Sequence, residues 1–140
     1  MQIFQTLFAV AAFASAATAA PLEERTPDWI IQGMSRTCDK KDTSCTWKFA
    51  INNQETTPTH CTYVVKAANG QPASRSNGGP VTCGDYTITS GWSGQFVVGF
   101  TTFAMYDNKR KLIAYPAYDD NEINSGKVPD KPFHAAPPKA

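Results

Sequence analysis

Four cysteines, Cys38, Cys45, Cys61 and Cys83, constrain what this chain can fold into more than any other residues in it. They follow a segment with the pattern of a secretory signal peptide. Met1 to Ala20 carries no charged side chain, an apolar block runs from Leu7 to Ala14, and Ala17-Thr18-Ala19 supplies an A-x-A cleavage site. Residues 1–19 are therefore read as a signal peptide that sends the rest of the chain out of the cell. In an oxidising compartment an even set of cysteines forms disulfides, and four of them allow three connectivities. Zinc is the competing use. The spacings contain no C-x-x-C pair, and His60 and His134 make no recognisable ligand pair, so neither metal nor cofactor is expected.

About 120 residues remain after cleavage, enough for one modest core. The formal net charge of +1 supplies no field that would recruit nucleic acid or an anionic membrane. The leader's apolar run is too short to span a bilayer, and no later segment replaces it, so stable membrane insertion is not expected. A monomer is the simplest expectation. Residues 20–127 read as a single secreted domain. Residues 128–140, with Pro129, Pro132, Pro137 and Pro138, read as a proline-rich flexible tail, because so little apolar surface does not offset the entropy of ordering it.

Periodicity within the domain is that of strands. Cys45, Trp47, Phe49 and Ile51 alternate with Thr46, Lys48 and Asn52, placing one set on each face of a strand. Cys61 to Ala67 repeats the theme, and Tyr86 to Ser90 is β-branched and aromatic. Phe100 to Tyr106 and Leu112 to Tyr115 flank a turn at Asp107-Asn108-Lys109-Arg110, and Trp29 to Thr37 supplies a further strand. Asn69-Gly70 and Asn77-Gly78-Gly79-Pro80 read as turns. The fold class expected is all-β: a small antiparallel β-barrel or sandwich of about six strands with two disulfides. Cys38 and Cys45 lie at the two ends of one short loop, which favours a bridge there and leaves Cys61 with Cys83. On a chain-entropy estimate the longer loop contributes about 3 kcal/mol.

Catalytic constellations are weak. Gly91-Trp92-Ser93-Gly94 suggests a nucleophile elbow, but Gln95 occupies the position of the final glycine and no α/β pattern surrounds the serine. Asp119, Asp120 and Glu122 suggest a glycosidase pair, yet adjacent residues on an extended segment point apart, and acidic turn residues are the simpler reading. A small secreted nuclease needs two positioned acid–base groups, and here Glu55 and His60 are the only usable pair. Trp29, Trp47 and Trp92 raise a sugar-stacking platform, with Trp92 the best exposed candidate. Lys109-Arg110-Lys111 reads as solvated surface. No catalytic residue is assigned.

Several stretches resemble a family of small secreted proteins of filamentous fungi, known as surface proteins or as elicitors of the plant hypersensitive response and represented in the rice blast fungus. They are Arg36-Thr37-Cys38-Asp39, Asp42-Thr43-Ser44-Cys45, Cys61-Thr62-Tyr63-Val64-Val65 and Cys83-Gly84-Asp85-Tyr86-Thr87-Ile88. Gly91-Trp92-Ser93-Gly94-Gln95-Phe96, Gly99-Phe100-Thr101-Thr102 and Tyr115-Pro116-Ala117-Tyr118-Asp119 continue the match. The resemblance departs at Val97-Val98, where family members carry an insertion containing glycine and proline. It implies a β-barrel located in the apoplast that triggers cell death and defence. Two readings of its action follow: recognition of the folded surface by a host plant receptor or surface component, or, as the alternative, a cell-wall carbohydrate-binding protein or small secreted hydrolase acting on a wall polysaccharide. Gly91 to Gly99 is expected to form a bend or loop, and Trp92, Ser93, Gln95 and Phe96 are the candidate binding residues.

Overall fold

Alternating burial along Cys45–Asn52 builds the strand it predicts: Cys45, Trp47, Phe49 and Ile51 are buried, while Thr46 and Lys48 face outward. The structure, a computed structural model, describes residues 26–139; the expected signal peptide at residues 1–19 lies outside them. Among the described residues the strands are β1 (Trp29–Cys38), β2 (Ser44–Asn52), β3 (Thr59–Lys66), β4 (Gly78–Cys83), β5 (Tyr86–Ser93), β6 (Phe100–Asp107), β7 (Leu112–Ala114), β8 (Ala117–Asp119) and β9 (Lys131–Phe133). A 3-10 turn spans Ala73–Arg75 and one short helix, α1, spans Asp120–Ser125.

These strands form two antiparallel sheets, a sandwich rather than a closed barrel. One sheet has the order β3-β2-β1-β9; the other runs β4-β5-β6-β7, with β8 also paired to β6. β7 and β8 share one edge of β6, interrupted at Tyr115-Pro116, where the Pro116 carbonyl accepts the Phe103 N–H at 2.7 Å. Aromatic packing joins the sheets. Phe103, fully buried on β6, lies 4.9 Å from Trp47, 5.8 Å from Phe49 and 5.6 Å from Tyr63 between ring centroids.

Both seams of the sandwich are fastened. On one side the Cys61–Cys83 disulfide ties β3 to β4, and the Tyr63 hydroxyl meets Ser90 Oγ at 2.7 Å. Burial, with the Ser90 hydrogen bond opposing it, raises the Tyr63 pKa above its ordinary value. On the other side Ile113 and Ala136 exchange backbone hydrogen bonds. The second disulfide, Cys38–Cys45, staples the open end of the β1–β2 hairpin, where those residues are direct cross-strand neighbours. Both bridges are the ones the hairpin plan favours.

Three departures from the sequence reading matter for the site. First, β1 changes parity. Gly33 adopts φ +63°, a left-handed conformation that glycine tolerates, and the β1–β2 register shifts between Gln32 and Ser35. Trp29 and Ile31 point inward before the bulge, Met34 and Arg36 after it. Second, Asn77 to Pro80 is not only a turn: Gly78 opens β4, an edge strand that accommodates Pro80 at its register irregularity. The Asn69-Gly70 turn is as expected, with φ of 54° and 74°.

Third, residues 128–139 pack back on the domain. β9 pairs with β1 in the register Trp29–Phe133, Ile30–Pro132 and Ile31–Lys131, and Ala135 is buried. Pro132 is tolerated because β9 is an edge strand. Lys131 pairs with Glu122 and lies over the Tyr118 ring at 5.1 Å, while the Asp130 carboxylate accepts the Gly33 N–H at 2.9 Å. The composition argument fails because a few well-placed contacts, Val128 and Phe133 against the core among them, fasten a short segment that is polar on average. A chain ending at Lys127 is expected to melt at least about 10 °C lower than the full chain, since losing those contacts removes more than about 2 kcal/mol. Calorimetry on the two proteins checks this, and an unchanged melting temperature would contradict the β9 assignment.

Candidate functional site

The bulge at Gly33 places a guanidinium inside the sandwich. Arg36 has a side chain only 6% exposed and lies over the Trp47 ring at 5.3 Å. A buried cation is costly unless paired, and among the described residues both of its polar contacts come from α1. Arg36 Nη2 donates to Asn124 Oδ1 at 2.8 Å, and Nη1 stands 3.8 Å from Asp120 Oδ1. The helix itself starts where the sequence permits: Asp119 caps it by accepting the Glu122 N–H at 2.7 Å, and Gly126 closes it at φ +72°.

Asp120 then reaches a second partner. Its Oδ2 accepts the Trp92 indole N–H at 3.0 Å, and its backbone N–H donates to the Gly99 carbonyl at 2.8 Å. Trp92 is on the last turn-out of β5, half-buried, with Gly94 and Gly99 against its six-membered ring. A Cβ at either glycine would fall 2.5 Å from ring carbons of Trp92, so only glycine lets the loop wrap this closely. From the other element the Arg75 guanidinium lies over the Trp92 ring at 5.5 Å. Arg75 is itself fixed. Asp42 accepts from both the N–H and the hydroxyl of Ser74, and its carbonyl accepts the Ala73 N–H at 2.8 Å.

What this brace holds out to solvent is apolar. Phe96 is 67% exposed and Val97 fully so, with Phe96 stacked on Phe100 at 5.7 Å. Ser93 Oγ accepts the Gln95 N–H at 3.3 Å, tightening the start of the loop. The expected bend is therefore shorter than Gly91 to Gly99. Gly91, Trp92 and Ser93 complete β5, and the loop is 94–99. Of the sequence-derived residues, Trp92 and Ser93 support the loop, and Gln95 and Phe96 lie on it.

Matches to known proteins bear on this arrangement. A family model described as Effector TSP1 matches residues 30–139, which takes in the whole brace and its loop. The chain belongs to the Effector TSP1 family. A curated relative from the fungus Hypocrea virens, itself named Effector TSP1, is 51% identical over 137 residues, covering 91% of each chain. Membership in this fungal effector family agrees with the resemblance read from the cysteine and tryptophan motifs.

Most of the residues weighed for catalysis are committed elsewhere in this Effector TSP1 fold. Glu55 pairs with Arg110, which also donates to the buried Asp107 at 3.1 Å. The basic trio is thus not all solvated surface, since Arg110 closes the β6–β7 turn. His60 is exposed on β3 opposite Ala50, and His134 is 70% exposed, 3.5 Å from Asp28. Glu122 engages Lys131, and Ser93 engages the backbone of its own loop. Cys38, Asp42 and Cys45 lie close together, but both sulfurs are in the disulfide. Beside that bridge, the Thr43 hydroxyl and backbone N–H hold the Asp39 carboxyl below its ordinary pKa. Sequence reasoning missed Arg36, Arg75 and Val97. The one available signal for Arg36 was Gly33, a glycine inside a strand.

Trp92→Ala is expected to lower stability by about 2 to 3 kcal/mol, because it removes a half-buried ring, one hydrogen bond to a carboxylate and a cation–π contact. Phe96→Ser is expected to change stability by less than about 0.5 kcal/mol. Urea denaturation measures both, and equal losses would mean that Phe96 belongs to the packed interior.

Proposed function

We propose that the chain is a secreted fungal effector that acts in the plant apoplast, eliciting hypersensitive cell death and defence through recognition of its folded surface by a host receptor or surface component. The observation that carries this reading is the exposed Phe96–Val97 pair on a loop fixed by Trp92, Asp120 and Arg75. Large apolar side chains on a rigid scaffold are what interface hot spots require, since little ordering entropy is lost on docking. The signal-peptide pattern, the two disulfides and the family membership support delivery outside the cell. Among the described residues no helix is long and apolar enough to cross a membrane. Commitment of Glu55, Asp119, Glu122 and Ser93 to structural contacts supports recognition rather than catalysis.

Leaf infiltration with purified protein tests the proposal. The wild type is expected to cause local cell death, and the double variant Phe96→Ser/Val97→Ser to need at least a tenfold higher dose while keeping its melting temperature. Heat-denatured, reduced protein is expected to be inactive. Full activity of the double variant would remove this loop as the recognised surface, and activity of the denatured chain would point to a linear determinant.

A further inference from the structure

Arg36 and Arg110 each face a carboxylate, but Arg75 is in none of the ion pairs found among the described residues. It is exposed, yet it is not a loose surface side chain: its backbone is pinned through Ser74 to Asp42 and its guanidinium lies over Trp92. The cation–π contact places the guanidinium at 5.5 Å from the Trp92 ring centroid, and an arginine fork so placed is the group that binds a carboxylate bidentately. Arg75 also lines a polar pocket of about 170 Å³ with Asn69, Gln71, Ser76 and Asn77. Two features keep this pocket in shape. The Asn69-Gly70 turn is closed by hydrogen bonds between Ala68 and Gln71, and Ser76 Oγ is bonded to the Pro72 carbonyl at 2.9 Å. Asn77 Oδ1 accepts the Trp92 backbone N–H at 3.3 Å, which ties the pocket wall to the brace.

From this we propose that the Arg75 pocket binds a single uronate unit of an acidic polysaccharide. Its volume is below the range of pockets that hold drug-sized ligands, so it accommodates one sugar ring rather than an extended segment. The chemistry of the lining separates a sugar acid from an acidic side chain. Arg75 satisfies the carboxylate in either case, but the three side-chain amides supply donors and acceptors suited to ring hydroxyls, which an aspartate or glutamate lacks. Binding here does not require Phe96 or Val97, although the pocket shares Arg75 with the brace behind that loop.

Nuclear magnetic resonance titration of the isotopically labelled, disulfide-bonded protein with oligogalacturonates tests this. Saturable shifts are expected at the side-chain N–H groups of Asn69, Gln71, Asn77 and Arg75. Arg75→Gln is expected to weaken binding at least tenfold, with the spectrum outside this corner unchanged. Lys109→Gln makes the same change in net charge at a distant turn and is expected to change affinity less than twofold. Arg75→Lys, which keeps the charge but loses the fork, is expected to fall between them. Absence of saturable shifts, equal affinity for fully methyl-esterified oligomers, or equal effects of the Arg75 and Lys109 substitutions would each overturn the proposal. Binding of poly-glutamate as tightly as of oligogalacturonate would overturn it in favour of an acidic protein partner.

Discussion

A guanidinium buried between two sheets has to be compensated, and the way Arg36 is compensated sets the geometry of one end of this molecule. The Gly33 bulge turns Arg36 inward onto the face of Trp47, where solvent cannot serve it. Among the described residues α1 supplies its polar partners, Asn124 by hydrogen bond and Asp120 by charge. The helix is short and would not persist alone, so its position follows from the cation beneath it as much as from its own caps. Once Asp120 is placed, its second oxygen is directed at the Trp92 indole and its amide at Gly99.

From there the contacts converge on one loop from two sides of the sandwich. Along one line Asp120 on α1 links Arg36 of β1 to Trp92 of β5; along the other, Asp42 in the disulfide-stapled β1–β2 hairpin holds Ser74 and Arg75 on the 3-10 turn. Both lines end on the Trp92 ring, around which Gly94 and Gly99 pack. The loop is therefore a poor candidate for induced folding and a good one for preorganised recognition, in which exposed apolar groups are presented at low entropic cost. It also explains why the tryptophan is half-buried. Its ring shapes the loop, while Phe96 and Val97 are the side chains left exposed on it and, in the proposed function, the ones a partner meets.

Legibility in the sequence followed the length and regularity of each element. β2, β3, β5 and β6 are long enough for strand character to show; on β2 the alternation read from the sequence puts Trp47 and Phe49 in the core, where Tyr63, Ile88 and Phe103 of the other three strands join them. β9 was not legible because three residues containing a proline have no periodicity, and their pairing depends on an edge that only the folded sheet provides. Interior placement of Arg36 was hidden for a different reason. Strict alternation from Trp29 puts it outside, and a one-residue bulge inverts every later side chain on β1. The paired acidic residues near Asp119 show the same dependence on context. As a motif they invited chemistry, yet one caps a helix and the next anchors a tryptophan. Of the Gly-Trp-Ser-Gly motif, only Gly94 lies in the 94–99 loop; Gly91, Trp92 and Ser93 complete β5, and Gly94 packs on the Trp92 ring.

Backbone order in the 94–99 loop is the direct measure of whether this brace exists. Nitrogen-15 relaxation on the wild type and on Asp120→Ala isolates it, because that change removes the carboxylate shared by Arg36 and Trp92 and leaves Asp119 to cap the helix. Order parameters at Gln95, Phe96, Val97 and Val98 are predicted to fall from near the rigid value of about 0.85 to below about 0.6, with those of β2 and β6 unchanged. Equal order in the two proteins would show that the loop holds itself without the Arg36–Asp120–Trp92 chain and would contradict the account.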